Sequence, residues 1–210
     1  KILSISLPMF MTASMNFALG HMGVIMLSIY SDKAEVGYYY GAIKLATITL
    51  LILAAIVSMA APKFSQLYQN KRYDDLLRVA RKSSKLIFWT TSPILLTLIL
   101  GGKFIICLIF GIEFLVAYKA MVFLVIGQFI NSISGASGMF MNMTGHEKQY
   151  MIIVTIAVLL NLVFCIILIP IYGIYGASFA TMFSTIFWNI SILLFVKIKF
   201  GKNIGYFPGL

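Results

Sequence analysis

The sequence predicts an all-α integral membrane protein with six transmembrane helices. Three observations carry this. Hydrophobic residues make up 61% of the 210 residues and charged residues only 10%, against about 45–50% and about 25% in a soluble domain. The mean hydropathy is +0.99. The apolar residues fall in runs of the length, about 20 residues, that a helix needs to cross a bilayer. Too little polar surface is available to cover a water-soluble globule. A soluble enzyme, a secreted disulfide scaffold and a disordered tail are therefore excluded.

The first span is expected over about 4–30, since no Asp, Glu, Lys or Arg occurs between Ile2 and Ser31. Asp32, Lys33 and Glu35 form a polar turn, and a second span runs over about 37–61, interrupted by Lys44 and closed by Pro62. Residues 63–85 read as an amphipathic loop: Asp74 and Asp75 lead, and Arg78, Arg81 and Lys82 follow. That order suits a helix dipole and a helix lying on anionic headgroups. The third span is expected over about 86–102, in an apolar run interrupted by Gly101-Gly102-Lys103; the alternative is a stop near Leu100, with 104–110 as a short interfacial helix. The fourth is expected over 119–143 and ends at the turn Thr144-Gly145-His146-Glu147. The stretch 150–196 is too long for one helix and divides at Pro170 and Gly173 into spans 150–169 and 174–196. Pro8 and Pro93 fall inside spans and are expected to kink them.

The formal net charge is +10, from sixteen Lys and Arg against six Asp and Glu. In a soluble protein such an excess points to nucleic acid; here it reads as topology, and no nucleic-acid partner is expected. Six spans put both ends on one side. That side holds Lys1, Lys63, Lys71, Arg72, Arg78, Arg81, Lys82, Lys85, Lys148, Lys197, Lys199 and Lys202, twelve of the sixteen basic residues. Cytoplasmic loops collect Lys and Arg, so both termini are expected in the cytoplasm. Tyr38, Tyr39 and Tyr40 then join the outer aromatic belt. The chain starts at Lys1 without a signal-peptide pattern and is expected to be part of a longer protein.

All six acids lie in loops or at span ends. No carboxylate falls in mid-membrane, and no His/Cys/Asp/Glu grouping suggests catalysis or a metal, so neither a catalytic residue nor a cofactor is expected. Cys107 and Cys165 sit in apolar runs and read as small buried hydrophobes. His21, alone in an apolar helix, reads as packed and hydrogen-bonded. Lys44 is the one clearly intramembrane charge, about 10 Å deep at 1.5 Å per residue. It shares a helical stripe with Gly37, Gly41, Thr47, Leu51, Ala55 and Ser58. Either it holds an anionic substrate, or it snorkels to the headgroups beside Tyr40. Polar stripes recur in the first span (Thr12, Asn16, Gly20, Gly23), the fourth (Gln128, Asn131, Gly135, Gly138, Asn142) and the sixth (Thr181, Thr185, Asn189). Asn16, Gln128 and Asn131 are candidates for lining an aqueous path and hydrogen-bonding sugars. The alternative is interhelical hydrogen bonding, which also suits neutral amides. Gly173, Gly176, Ala177 and Ala180 read as close helix packing.

The ordered motifs resemble the C-terminal half of Wzx-like polysaccharide flippases, of the multidrug/oligosaccharidyl-lipid/polysaccharide exporter superfamily. Carrying the resemblance are Val36-Gly37-Tyr38-Tyr39-Tyr40-Gly41-Ala42-Ile43-Lys44-Leu45, Ala61-Pro62-Lys63-Phe64-Ser65 and Phe110-Gly111-Ile112-Glu113-Phe114. Further along come Gly127-Gln128-Phe129-Ile130-Asn131, Met143-Thr144-Gly145-His146-Glu147-Lys148 and Leu168-Ile169-Pro170-Ile171-Tyr172-Gly173. The resemblance implies one six-helix lobe of a MATE-like, twelve-helix, two-lobe transporter. Its partners would be membrane lipid and the N-terminal lobe. Its cargo would be a polyprenyl-diphosphate-linked oligosaccharide, flipped across the cytoplasmic membrane by alternating access. Of the quoted residues, Lys44 maps onto a plausible substrate contact. Three other readings compete, one of them a lipid scramblase or pure scaffold, in which Lys44 could be replaced without loss of glycan export. A cation-coupled multidrug exporter of the same superfamily would want an intramembrane acid. A membrane-embedded glycan-assembly enzyme would want catalytic side chains at a membrane face.

Overall fold

The computed structural model describes residues 2–207, with side chains from Phe10 onward. Lys1 lies outside the described residues, as does the side chain of Pro8. Among the described residues eight α-helices follow one another: α1 (Ile2–Tyr30), α2 (Lys33–Ala46), α3 (Thr49–Gln69), α4 (Tyr73–Phe110), α5 (Ala117–Ser134), α6 (Ser137–Met143), α7 (Glu147–Tyr172) and α8 (Ile174–Phe200). A 3-10 turn, Ile112–Val116, joins α4 to α5, and no strand occurs among the described residues. Among the described residues, six helical segments are long and apolar enough to cross a membrane. The chain is a multi-pass, all-α membrane protein.

The second and fourth spans are not continuous. At Thr47 the side-chain hydroxyl donates to the Ile43 carbonyl at 2.7 Å, and α2 gives way to α3. At Gly135 the backbone turns to φ +61, where only glycine sits comfortably, and α5 gives way to α6. The Ser134 and Ser137 hydroxyls bond each other across this break, and the Ser84 hydroxyl donates to the Ser134 carbonyl at 3.4 Å. Broken helices are tolerated at membrane depth where they line a cavity or are buried in protein, and both breaks satisfy that condition.

Three boundaries differ from the sequence reading. The segment 63–85 is not a surface loop. α3 runs through Pro62 to Gln69, and α4 starts at Tyr73. Leu76, Leu77 and Ala80 are buried in one apolar cluster with Phe64 and Phe140, so this segment packs its apolar face on the lobe as the ends of two long helices. The glycines at 101 and 102 do not end α4; Gly102 lets the helix approach Tyr118 and Met121, and the short interfacial turn comes later, at Ile112–Val116. The division after α7 falls at Gly173 (φ +53), with Pro170 inside the last turn of α7.

The core has two apolar layers. One gathers Leu27, Tyr39, Ile106, Met121 and Ala177. The other gathers Phe64, Leu76, Phe140, Tyr150 and Ile192, at the end of the lobe rich in basic residues. Tyr39 corrects the expected aromatic belt. It is fully buried, packed over Gly23. Only Tyr40 of the three tyrosines stands exposed, while Tyr38 packs edge-on against Phe114, with centroids 5.0 Å apart. Cys165 is buried and Cys107 half-buried, both free thiols.

Candidate functional site: a polar cavity within the lobe

A cavity of about 460 Å³ opens in the middle of the lobe. Its walls come from α1, the α2–α3 break, α5, α6 and the start of α7, and the middle of α8. Asn16, Gln128 and Asn131 all line it, together with Thr47, Asn142, Tyr150, Thr181, Thr185 and Trp188. The three sequence candidates are thus brought together from α1 and α5. They also hydrogen-bond to neighbours. The Asn16 amide donates to the Tyr150 hydroxyl at 3.4 Å, and the Asn131 amide donates to Gln128 Oε1 at 3.1 Å. Asn16 therefore combines an interhelical bond with cavity lining, whereas the Asn131–Gln128 bond lies within α5.

Lys44 is not on the cavity wall. Its preceding neighbour Ile43 lines the cavity, whereas Lys44 is exposed and lays its Nζ 5.0 Å from the centre of the Tyr40 ring. Tyr40 is one helical turn nearer the start of α2. Side chains on a helix slant toward its N-terminus, so Lys44 reaches toward the nearer interface, the geometry of a snorkelling cation. His21 likewise departs from expectation. It is exposed on α1, its ring tilted against that of Phe17 with centroids 4.4 Å apart. Asn189 is buried away from the cavity, with its amide donating to the Thr185 carbonyl at 2.9 Å.

Trp188 and Tyr150 are cavity residues that polarity alone does not reveal. Their rings lie 6.2 Å apart. Trp188 extends the stripe of Thr181 and Thr185 at helical spacing, which is the signal that would have found it. Gly20 and Gly138 also line the space. No carboxylate lines it, and among the described residues no group of three or more His, Cys, Asp or Glu is placed to hold a metal.

These features define a fold class: a multi-span helical bundle with two broken spans around a polar cavity. Solved transporters bear this out at the level of fold. The chain superimposes with a TM-score of 0.79 on an outward-facing multidrug resistance MATE family transporter of the MOP superfamily, with 19% identity, covering 97% of this chain and 46% of that one. It superimposes equally well, at 0.79 and 19% identity, on a MOP superfamily transporter from Pyrococcus furiosus, covering 98% of this chain and 46% of that one. The family model described as polysaccharide biosynthesis protein matches residues 1–119, more than half of the chain, and the chain belongs to that family. It is also 28% identical over 186 residues to the probable low-salt glycan biosynthesis flippase Agl15 of Haloferax volcanii, covering 85% of this chain and 39% of that protein. The chain thus spans less than half the length of the relatives it matches.

Proposed function

We propose that this chain is the C-terminal lobe of a flippase that moves polyprenyl-diphosphate-linked oligosaccharide across the cytoplasmic membrane for cell-surface polysaccharide synthesis. A second, N-terminal lobe completes the cavity, and rocking of the lobes exposes it alternately to each face. Both ends of the segment lie in the cytoplasm, where the basic residues are concentrated.

The observation that carries this reading is the chemistry of the cavity wall. It offers amides, hydroxyls and two aromatic rings, and no carboxylate. Sugars hydrogen-bond to amides such as Asn16, Gln128 and Asn131, and their C–H faces stack on rings such as Trp188. A cation-coupled drug exporter needs an acid to hold its cargo or relay a proton, and this lobe does not furnish one there. The flippase named for the Haloferax volcanii relative supports the same choice. The diphosphate calls for cations; Lys44, off the cavity wall and held beside Tyr40, is the cation of this lobe to test for that role. The polyprenyl tail stays in lipid. No bond changes, so no catalytic group is required.

The test uses the full-length protein in proteoliposomes. Labelled polyprenyl-diphosphate oligosaccharide is placed in one leaflet and its arrival in the other is followed, for wild type beside Lys44→Gln and Asn131→Leu. Flipping that drops severalfold in both variants supports the cavity and the cation. Flipping unaffected by Lys44→Gln makes Lys44 a snorkelling anchor and leaves the flippase standing. A well-folded sample that flips no lipid-linked glycan overturns the proposal.

A further inference from the structure

A second pocket, of about 380 Å³, lies outside the bundle between α4 and the chain that follows α8. Arg81, Lys82 and Lys85 line it from α4; Asn203, Tyr206 and Phe207 line it from the returning chain. The spacing of the three cations, i, i+1 and i+4, puts them on one side of the helix.

This pocket is built, not a chance gap. After Gly201 the chain folds back over the lobe. Ile204 is buried, and the Tyr206 N–H donates at 3.0 Å to the Ile133 carbonyl, a group left free where α5 ends. The Tyr206 ring packs 5.4 Å from Phe88, and its hydroxyl accepts a hydrogen bond from Trp89 Nε1 at 3.2 Å. Arg81 Nε donates to the Asn203 carbonyl at 2.7 Å, which uses one of the five guanidinium donor hydrogens. Lys85 Nζ lies 5.8 Å from the Tyr206 ring centre.

Charge and depth indicate the occupant. The nearby acids are engaged elsewhere: Asp74 pairs with Lys202 at 2.7 Å, and Asp75 with Arg72 at 2.6 Å and Arg78 at 3.4 Å. No carboxylate lines the pocket. The 38 residues of α4 span about 57 Å at 1.5 Å per residue, well beyond a hydrocarbon core of about 30 Å. Its apolar portion begins at Leu86. The cations therefore stand at headgroup level, with Trp89 one turn deeper, where indole rings mark the interface. From the pocket an exposed apolar stripe, Leu86, Trp89, Leu96 and Leu100, runs on toward the membrane centre. A site for a free anion needs no such stripe; a site for a lipid does. Basic pockets beside transmembrane helices bind anionic headgroups.

We propose that the Arg81–Lys82–Lys85 pocket binds the phosphate of an anionic lipid, whose chains lie along the Leu86–Leu100 stripe. The ligand chemistry is shared by two sources, a membrane phospholipid and a polyprenyl diphosphate. The proposal does not rest on the transport reading, because the binding needs only the folded chain in a bilayer.

The full chain is reconstituted in vesicles containing dibrominated phosphatidylglycerol or dibrominated phosphatidylcholine. Quenching at Trp89 is isolated by subtracting that of Trp89→Phe. Severalfold preference for phosphatidylglycerol is expected. It should be lost in Arg81→Gln/Lys82→Gln/Lys85→Gln and kept in Lys148→Gln/Lys197→Gln/Lys199→Gln, which removes the same charge from the same end. Lys82→Gln/Lys85→Gln preserves the Arg81–Asn203 bond and should weaken the preference with no change in unfolding temperature. If phosphatidylglycerol shows no preference but unbrominated polyprenyl diphosphate relieves phosphatidylcholine quenching at Trp89, the diphosphate is the source and the site stands. Absence of both effects in wild type, or equal loss in the two triple variants, overturns the proposal.

Discussion

The Tyr39 hydroxyl lies 3.0 Å from the Thr181 hydroxyl, 142 residues further along the chain. It ties α2 to α8 beside the cavity. The Tyr39 ring also fills the space over Gly23, where an added Cβ would collide with it. Interhelical hydrogen bonds in membrane proteins contribute about 0.6 kcal/mol on average. Tyr39→Phe should therefore cost about 0.5–1 kcal/mol, and a double-mutant cycle with Thr181→Val should recover a coupling of that size from thermal unfolding in detergent. Gly23→Leu should destabilise far more, because the buried ring has nowhere to move.

The α5–α6 break rests on Gly135. Its φ of +61 costs an alanine about 1–3 kcal/mol, and the added Cβ would press into the Ser84 backbone. Gly173 has a similar φ of +53, but there the Cβ would meet the Glu35 carboxylate, the far end of a flexible side chain. Gly135→Ala should accordingly lower the unfolding temperature more than Gly173→Ala. Equal losses would mean that backbone strain alone decides both sites.

Gly20 lines the cavity, and nothing stands within 4 Å of where its Cβ would be. Gly20→Leu should hold or raise stability, since glycine in a helix costs about 1 kcal/mol relative to good helix formers. The leucine should also project into the cavity, the transport path under the proposed function. Intact folding with lost glycan flipping is the expected result; undiminished flipping would place the path elsewhere.

His146 sits in the turn before α7, buried among Tyr68, Phe195 and Phe200. Its Nδ1 lies 3.1 Å from the Thr144 hydroxyl. Burial, followed by the positive charge of Lys199, holds its pKa below the ordinary value, outweighing Thr144 and Glu147. The unfolded chain then binds the proton more readily than the folded one. The stabilisation is complete above about pH 6.5, the unfolded value, and is lost as pH falls through the lower folded value. Unfolding temperatures measured from pH 8 to pH 5 should fall more for wild type than for His146→Gln.

Much of the fold was legible in the sequence. Six crossings, the turn at Gly173 and the crowding of cations at one end follow from the order of apolar and charged residues. Burial of apolar length in a bilayer is a local sum over consecutive side chains, and a sequence displays such sums directly. The place of Asn16, Gln128 and Asn131 on the cavity wall was legible too, because polar groups stand out against an apolar span. The facing of individual side chains was decided only by the tertiary structure. Lys44 lies off the cavity wall, Tyr39 is buried instead of belted, and Trp188 reaches the cavity while Asn189 turns from it. Lipid-facing and protein-facing surfaces are about equally apolar, so hydropathy carries no signal for facing. Packing between helices far apart in the chain supplies that information, and the breaks at Thr47 and Gly135 arise where that packing opens a cavity.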